Sequence, residues 1–189
     1  MIKIGILGDI GSGKSYVAKQ FGFPVFDADH EVGKLYKRNK KIFFKLKKVL
    51  PEYIYSFPIN KSEVSNAILA NDNNLNKIVK IVHFEIRKKM ILFLKKNRKK
   101  KIIILDIPLL LENKINNKED ILIFVKSKKI EISKRLKRRK NFNYKLFNKF
   151  KKIQFPLDYK KKKSHFIIKN DFTKNSIKNG IKDILNKIK

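Results

Sequence analysis

An apolar run, Ile2 to Leu7, leads directly into Gly8-Asp9-Ile10-Gly11-Ser12-Gly13-Lys14-Ser15, and this junction limits what the chain can fold into more than any other feature. The eight residues fit the pattern G-x-x-x-x-G-K-[ST], in which glycines let the main chain wrap closely around a phosphate with its N–H groups turned inward. In such a loop Lys14 reaches the β and γ oxygens and the Ser15 hydroxyl ligates Mg²⁺. The pattern carries this meaning only between a strand and a helix. Ile2 to Leu7 reads as a buried parallel strand, and Ser15 to Phe21 as the helix whose N-terminus faces the phosphate. The expected ligand is a nucleoside triphosphate, held by Gly8, Asp9, Ile10, Gly11, Ser12, Gly13, Lys14, Ser15 and Tyr16. Asp9 is unusual in this setting, because a carboxylate in a phosphate cradle is repelled unless it points outward.

The rest of the chain repeats the strand-then-helix alternation. Phe23 to Asp27 reads as a second short strand ending in a carboxylate, followed by Ala28-Asp29 and a helix through about Tyr36. Residues 39–99 hold amphipathic segments, the clearest from Leu75 to Leu94 with Ile78, Val79, Val82, Ile86, Met90 and Leu94 near helical spacing. Ile102 to Leu105 is a third strand ending in Asp106, and Ile121 to Val125 a fourth. Basic helical segments from Ile130 carry Arg135, Arg138 and Arg139, and a stretch rich in lysine, phenylalanine and asparagine runs on to Gln154 and Pro156. His165 to Ile168 reads as a last strand ending at Asn170, and Ser176 to Ile188 as a closing helix. Such alternation predicts an open parallel sheet covered on both faces, with ligands at the carboxyl edge. Gly8 to Ser15, Asp27, Asp29, Asp106 and Asn170 all fall at that edge.

A length of 189 residues suits one α/β domain, or one with a small inserted subdomain. No apolar run approaches the roughly 18 residues that would span a bilayer. Cysteine is absent, and the chain opens on a strand with no charged leader ahead of an apolar stretch, so a cytoplasmic location is expected. The net charge of +32 would by itself suggest a polyanionic partner. Arginine, however, occurs only at positions 38, 87, 98, 135, 138 and 139, and lysine is spread over nearly every segment. Bidentate phosphate and base readout favours arginine, so the excess reads as solvated lysine faces and no specific nucleic-acid partner is expected.

Five separated segments together resemble the dephospho-coenzyme A kinases, P-loop kinases that complete coenzyme A synthesis. They are Gly8 to Ser15; Val25-Phe26-Asp27-Ala28-Asp29; His83 with Ile86; Leu105-Asp106-Ile107-Pro108-Leu109-Leu110-Leu111-Glu112; and Arg135-Leu136 with Arg139, then Gln154 and Asn170. The resemblance implies a three-layer P-loop kinase fold: a central parallel five-stranded sheet, a helical substrate-binding region at about 39–99 and a lid at about 130–156, all within one domain over 1–189. It also implies ATP and Mg²⁺, and transfer of the γ-phosphate to the ribose 3′-hydroxyl of dephospho-coenzyme A by a monomer or small homo-oligomer. The chain departs from the family pattern at Asp9 (usually glycine), Phe84 (proline), Phe150 (arginine) and His165 (aspartate).

Phosphoryl transfer needs an in-line hydroxyl, shielding of phosphate charge and exclusion of water. By resemblance Asp29 is the base that accepts the hydroxyl proton; as a residue type ahead of a helix it equally reads as an N-cap. Lys14 and Arg139 complete the catalytic set expected here, with Arg135 on the nucleotide. Arg135 and Arg139, four residues apart, would share one helix face and close over the phosphates; a solvated basic helix has the same spacing. Asp106 reads as a carboxylate that holds Mg²⁺ directly or through water, and with Pro108, Leu109, His83 and Asp29 it belongs to the expected acceptor site. Asn170 would hydrogen-bond adenine by resemblance, or simply form a turn. A P-loop kinase with a different small-molecule or nucleotide acceptor stays open, because a phosphate loop does not choose acceptors.

Overall fold

The computed structural model describes residues 1–140 and 142–188. Five strands, β1 (Ile2–Gly8), β2 (Val25–Asp27), β3 (Ile102–Asp106), β4 (Ile121–Lys126) and β5 (Phe166–Lys169), form one sheet in the order β2-β3-β1-β4-β5. Every pairing is parallel. The helices are α1 (Lys14–Gln20), α2 (Ala28–Arg38), α3 (Lys40–Val49), α4 (Lys61–Ala70), α5 (Asp72–Lys96), α6 (Lys129–Lys137), α7 (Tyr144–Ile153), α8 (Leu157–Lys162) and α9 (Lys174–Lys187).

Parallel strands buried on both faces read as unbroken apolar runs. The five expected strands are present, although the second is regular only over Val25–Asp27. Even-numbered Ile4, Ile6, Ile102 and Ile104 share a face with Ile123, Val125 and Ile168. Val17 and Ala18 of α1, Phe21 just past its end, and Ile177, Ile181 and Ile184 of α9 pack on that face. On the opposite face, a Cβ added to Gly5 would stand 2.6 Å from Leu110, so the missing side chain is what admits that leucine against β1. Strand order reverses at β1, with β3 on one side and β4 on the other. The loop leaving its carboxyl end therefore lies at the switch point where open α/β sheets bind ligands.

The chain divides into two compact units, one comprising residues 1–27, 97–143 and 149–189, the other residues 28–96 with 144–148. In the second, α5 is the spine against which α2, α3 and α4 pack. Leu75, Ile78, Val82 and Ile86 recur every three or four positions along it and are all buried. The turn before α4 is fixed by buried Glu63, which accepts from the N–H groups of Tyr55 and Ser56 and from the Ser56 hydroxyl.

Several boundaries depart from expectation, among them β5 at Phe166–Lys169 and α9 at Lys174–Lys187, against His165–Ile168 and Ser176–Ile188. The first helix begins at Lys14 and ends at Gln20, one residue early at each end. The cationic stretch before Pro156 is the regular helix α7, and a further helix, α8, follows it.

Candidate functional site

The loop between β1 and α1 is curled by Gly11 (φ 85°) and Gly13 (φ 89°), left-handed values on either side of Ser12 that side chains rarely adopt. Alternation of this kind turns successive amides toward a common centre, an anion-binding nest. Lys14 lies along the loop, its ammonium donating to the carbonyls of Asp9 (2.7 Å) and Gly8 (3.3 Å). The Asp9 carboxylate accepts from the N–H of Ile10 at 2.7 Å, so it is turned onto its own loop. The Ser12 hydroxyl is buried without a hydrogen-bond partner, a polar group that calls for one. Tyr16, one residue past Ser15, is exposed.

Sheet register brings two carboxylates to the same edge: Asp27 at the end of β2 is the ladder partner of Asp106 at the end of β3. Asp106 is buried and bonded to the Ser15 hydroxyl. Burial pushes its carboxyl above the usual range; the Ser15 bond opposes the rise, the Asp27 charge adds to it, and the Lys14 and Lys19 ammonium groups oppose it. A hydroxyl and two carboxylates form a hard, all-oxygen donor set of the kind that suits Mg²⁺. Among the described residues no group of three or more His, Cys, Asp or Glu side chains could hold a metal ion. Mg²⁺ sites in phosphoryl-transfer enzymes are in any case completed by water and substrate phosphates.

Asn170, directly after β5, is buried. Its amide nitrogen donates to the Ser12 carbonyl at 2.8 Å, and its amide oxygen accepts from the N–H of Phe172, also at 2.8 Å. Ser127, directly after β4, donates its hydroxyl to the same Ser12 carbonyl at 3.0 Å. The Phe172 ring lies 4.3 Å from the guanidinium carbon of Arg135 on α6, a cation–π contact. Ile132 and Leu136 of α6 would meet a Cβ on Gly11 at 3.1 Å, so that helix lies directly against the loop.

The shared face expected for Arg135 and Arg139 does not form. Helix α6 ends at Lys137, Arg138 caps it, and Arg139 stands in the turn beyond, its N–H bonded to the Leu136 carbonyl. Lys134, Arg135, Lys137, Arg138, Arg139 and Lys140 crowd six positive charges into seven positions. Like charges one turn apart oppose helix extension. Asn170 spends its side chain on the loop and on the Phe172 N–H two residues on, which is the turn-forming role its sequence position offered.

After Asp106 the chain turns through exposed Pro108 and half-buried Leu109, the latter at φ 58°. Glu112 closes this segment: one carboxylate oxygen accepts from the Lys160 ammonium of α8 at 2.7 Å and from the N–H of Phe155 at 2.8 Å. Both charged side chains are buried. In the helical unit, Asp29 is exposed in the first turn of α2, which starts at Ala28, so it lies inside the helix and not at the capping position. His83 is half-buried on α5, and burial, then the Arg87 charge, holds its imidazole below the usual histidine range. Phe84 is exposed with the Lys88 ammonium 4.2 Å from its ring centre.

Sequence reasoning missed Ser127, Phe172 and Lys160. A hydroxyl just past the carboxyl end of β4 was a legible signal for Ser127. Lys160 was hidden in a run of lysines.

The family model for dephospho-CoA kinase, CoaE, matches residues 2–176. The chain belongs to the dephospho-CoA kinase family. A dephospho-CoA kinase of Wolbachia pipientis is 33% identical over 98% of this chain and 97% of its own length. One from Bartonella quintana is 32% identical over 87% of each chain. Among solved structures, the fold is shared with a Thermus thermophilus protein, with TM-score 0.77 and 23% identity over 100% of this chain and 98% of that one. A dephospho-CoA kinase from Campylobacter jejuni superposes with TM-score 0.63 at 19% identity, covering 98% of this chain and 96% of the other. Family membership and the five-stranded parallel sheet agree with the expected P-loop kinase fold.

Proposed function

We propose that this chain transfers the γ-phosphate of ATP to the ribose 3′-hydroxyl of dephospho-coenzyme A, giving coenzyme A and ADP. The observation that carries the reading is the meeting, at the switch point of a sheet of this family, of a glycine-curled loop, its Lys14 ammonium, and a Ser15 hydroxyl bonded to Asp106 beside Asp27. ATP is the phosphate donor, its phosphates seated on the amides of Gly8 to Ser15. Ser15, Asp106 and Asp27 would hold Mg²⁺, which supplies charge neutralisation on the phosphate oxygens when bound.

Lys14 leaves the Gly8 and Asp9 carbonyls to meet the β and γ oxygens, exchanging weak acceptors for charged ones. As the ribose oxygen bonds to phosphorus and the bond to the bridging β–γ oxygen breaks, Asp29 takes the hydroxyl proton and the electron pair leaves with ADP. Arg135 and Arg139, now on different local geometries, approach the phosphates separately, as charge stabilisers that need no common helix face. His83, Pro108 and Leu109 belong to the acceptor site, with residues of about 39–99 forming the substrate-binding region and about 130–156 the lid of a single domain. We place this chemistry in the cytoplasm, in a monomer or small homo-oligomer; among the described residues no helix is long and apolar enough to cross a membrane.

Incubation of the purified chain with ATP, Mg²⁺ and dephospho-coenzyme A should yield coenzyme A and ADP in equal amounts. Turnover of another hydroxyl acceptor with no product from dephospho-coenzyme A would overturn the reading.

A further inference from the structure

Two side chains from distant parts of the chain converge on one main-chain oxygen. The Asn170 amide and the Ser127 hydroxyl both donate to the Ser12 carbonyl, at 2.8 and 3.0 Å, and so occupy both of its lone pairs. The contact is close: a Cβ on Gly13 would stand 2.5 Å from the Asn170 amide nitrogen. Asn170 is itself fixed, by its own N–H to the Lys126 carbonyl at the end of β4 and by the Phe172 N–H on its amide oxygen.

In a planar trans peptide the carbonyl of one residue and the N–H of the next point in opposite directions. Holding the Ser12 carbonyl outward, toward β4 and β5, therefore holds the Gly13 N–H the other way, into the curl of the loop. Gly13 follows this peptide and tolerates φ of either sign, so its own backbone offers little resistance to a flip that would turn the carbonyl oxygen toward the phosphates. We propose that Asn170 and Ser127 are positioning residues that lock the Ser12–Gly13 peptide with its N–H toward the phosphate, so that Asn170 acts on the phosphates through this plane and not on the base. The proposal rests on the nucleotide-dependent kinase reading above.

The discriminating probe is a ligand with phosphates and no base. Asn170→Asp keeps the acceptor for the Phe172 N–H and replaces the donor with a carboxylate oxygen facing the Ser12 carbonyl. Calorimetric titration of the full chain with Mg²⁺ present should show ATP and inorganic tripolyphosphate both weakened, each by about tenfold, the scale of one lost hydrogen bond to a buried group. Ser127→Ala, at a partly exposed position, should weaken both by about threefold; it carries the test if Asn170→Asp does not fold. In steady-state assays the KM for ATP should rise while the KM for dephospho-coenzyme A holds. Loss of ATP affinity with tripolyphosphate unchanged would overturn the proposal in favour of base recognition, and no change for either ligand would overturn it outright. A parent protein that binds neither ligand would instead bring down the kinase reading, and this proposal with it.

Discussion

The phosphate-handling edge of the sheet and the helical unit position their polar groups by different means. At the edge, polar groups are tied to main chain or to one another: Lys14 to two loop carbonyls, Ser15 to Asp106, Asn170 and Ser127 to Ser12. In the helical unit, Asp29 and His83 ride on helices whose placement comes from apolar packing along α5. The first arrangement is preorganised toward one kind of ligand group, which suits chemistry that consists almost entirely of positioning and charge stabilisation. The second fixes its helices through an apolar stripe, so their exposed faces can vary without disturbing that packing.

Lys14→Ala attacks the preorganised side most directly. It should lower kcat/KM by roughly 10²–10³-fold, the scale for removing one charge-stabilising donor, with an unchanged circular dichroism spectrum. Activity within a few-fold of the parent would break the contrast at its strongest point. Asp106→Asn should come next, at roughly 10²-fold in rate. It carries a second, opposite expectation. Because the folded state raises the Asp106 pKa, that carboxyl contributes stability below its unfolded pKa and loses it as pH rises through the folded value. At neutral pH the buried charge is thus a cost, and the asparagine variant without ligands should melt at a higher temperature than the parent. An unchanged or lower melting temperature would show that Lys14 and Ser15 already compensate the burial.

Gly13→Ala should cost about tenfold in ATP affinity. It forces a side chain to φ 89° and drives a methyl group to 2.5 Å from the Asn170 nitrogen; a strained left-handed residue costs about 1–3 kcal/mol. Titration with ATP and an unfolding curve measure the two parts separately. A Gly13→Ala protein as stable as the parent but weaker in ATP binding would sharpen the comparison, placing the effect in the loop alone.

What could be read from the residues follows the same division. Buried parallel strands announce themselves as apolar runs, and the polar residue ending each run marks the carboxyl edge, which is how Asp27, Asp106 and Asn170 were legible before any coordinates. The Ser12 clamp was not, because its two bonds join residues 115 and 158 positions apart, and no local periodicity encodes such a meeting. Helix α6 looked continuous to Arg139 because no glycine or proline interrupts it; charge crowding after Lys137 leaves no such mark. In the helical unit, spacing identified Ile78, Val82 and Ile86 of the buried stripe of α5, while Val79, Met90 and Leu94 are only half-buried, and the same spacing is silent on whether His83 faces a substrate or only its neighbours. The Glu112–Lys160 pair shows the limit again: a lysine among lysines becomes special only once its surroundings are known.

His83 supplies the smallest expected effect and probes the helical side alone. Burial, then the Arg87 charge, depresses its pKa in the folded state. The unfolded chain therefore binds a proton at His83 from about pH 6.5 downward while the folded chain does so only at lower pH. Stability from the neutral imidazole is fully present above about pH 6.5 and is lost as pH falls toward the folded value. His83→Gln removes this linkage, so between pH 7 and pH 5 the urea midpoint of the parent should fall more than that of the variant. If His83 also contacts the acceptor, the variant's KM for dephospho-coenzyme A should rise a few-fold, with the KM for ATP unmoved. A change in the ATP constant instead would erase the separation between the two regions, since a residue of α5 would then be acting on the phosphate loop.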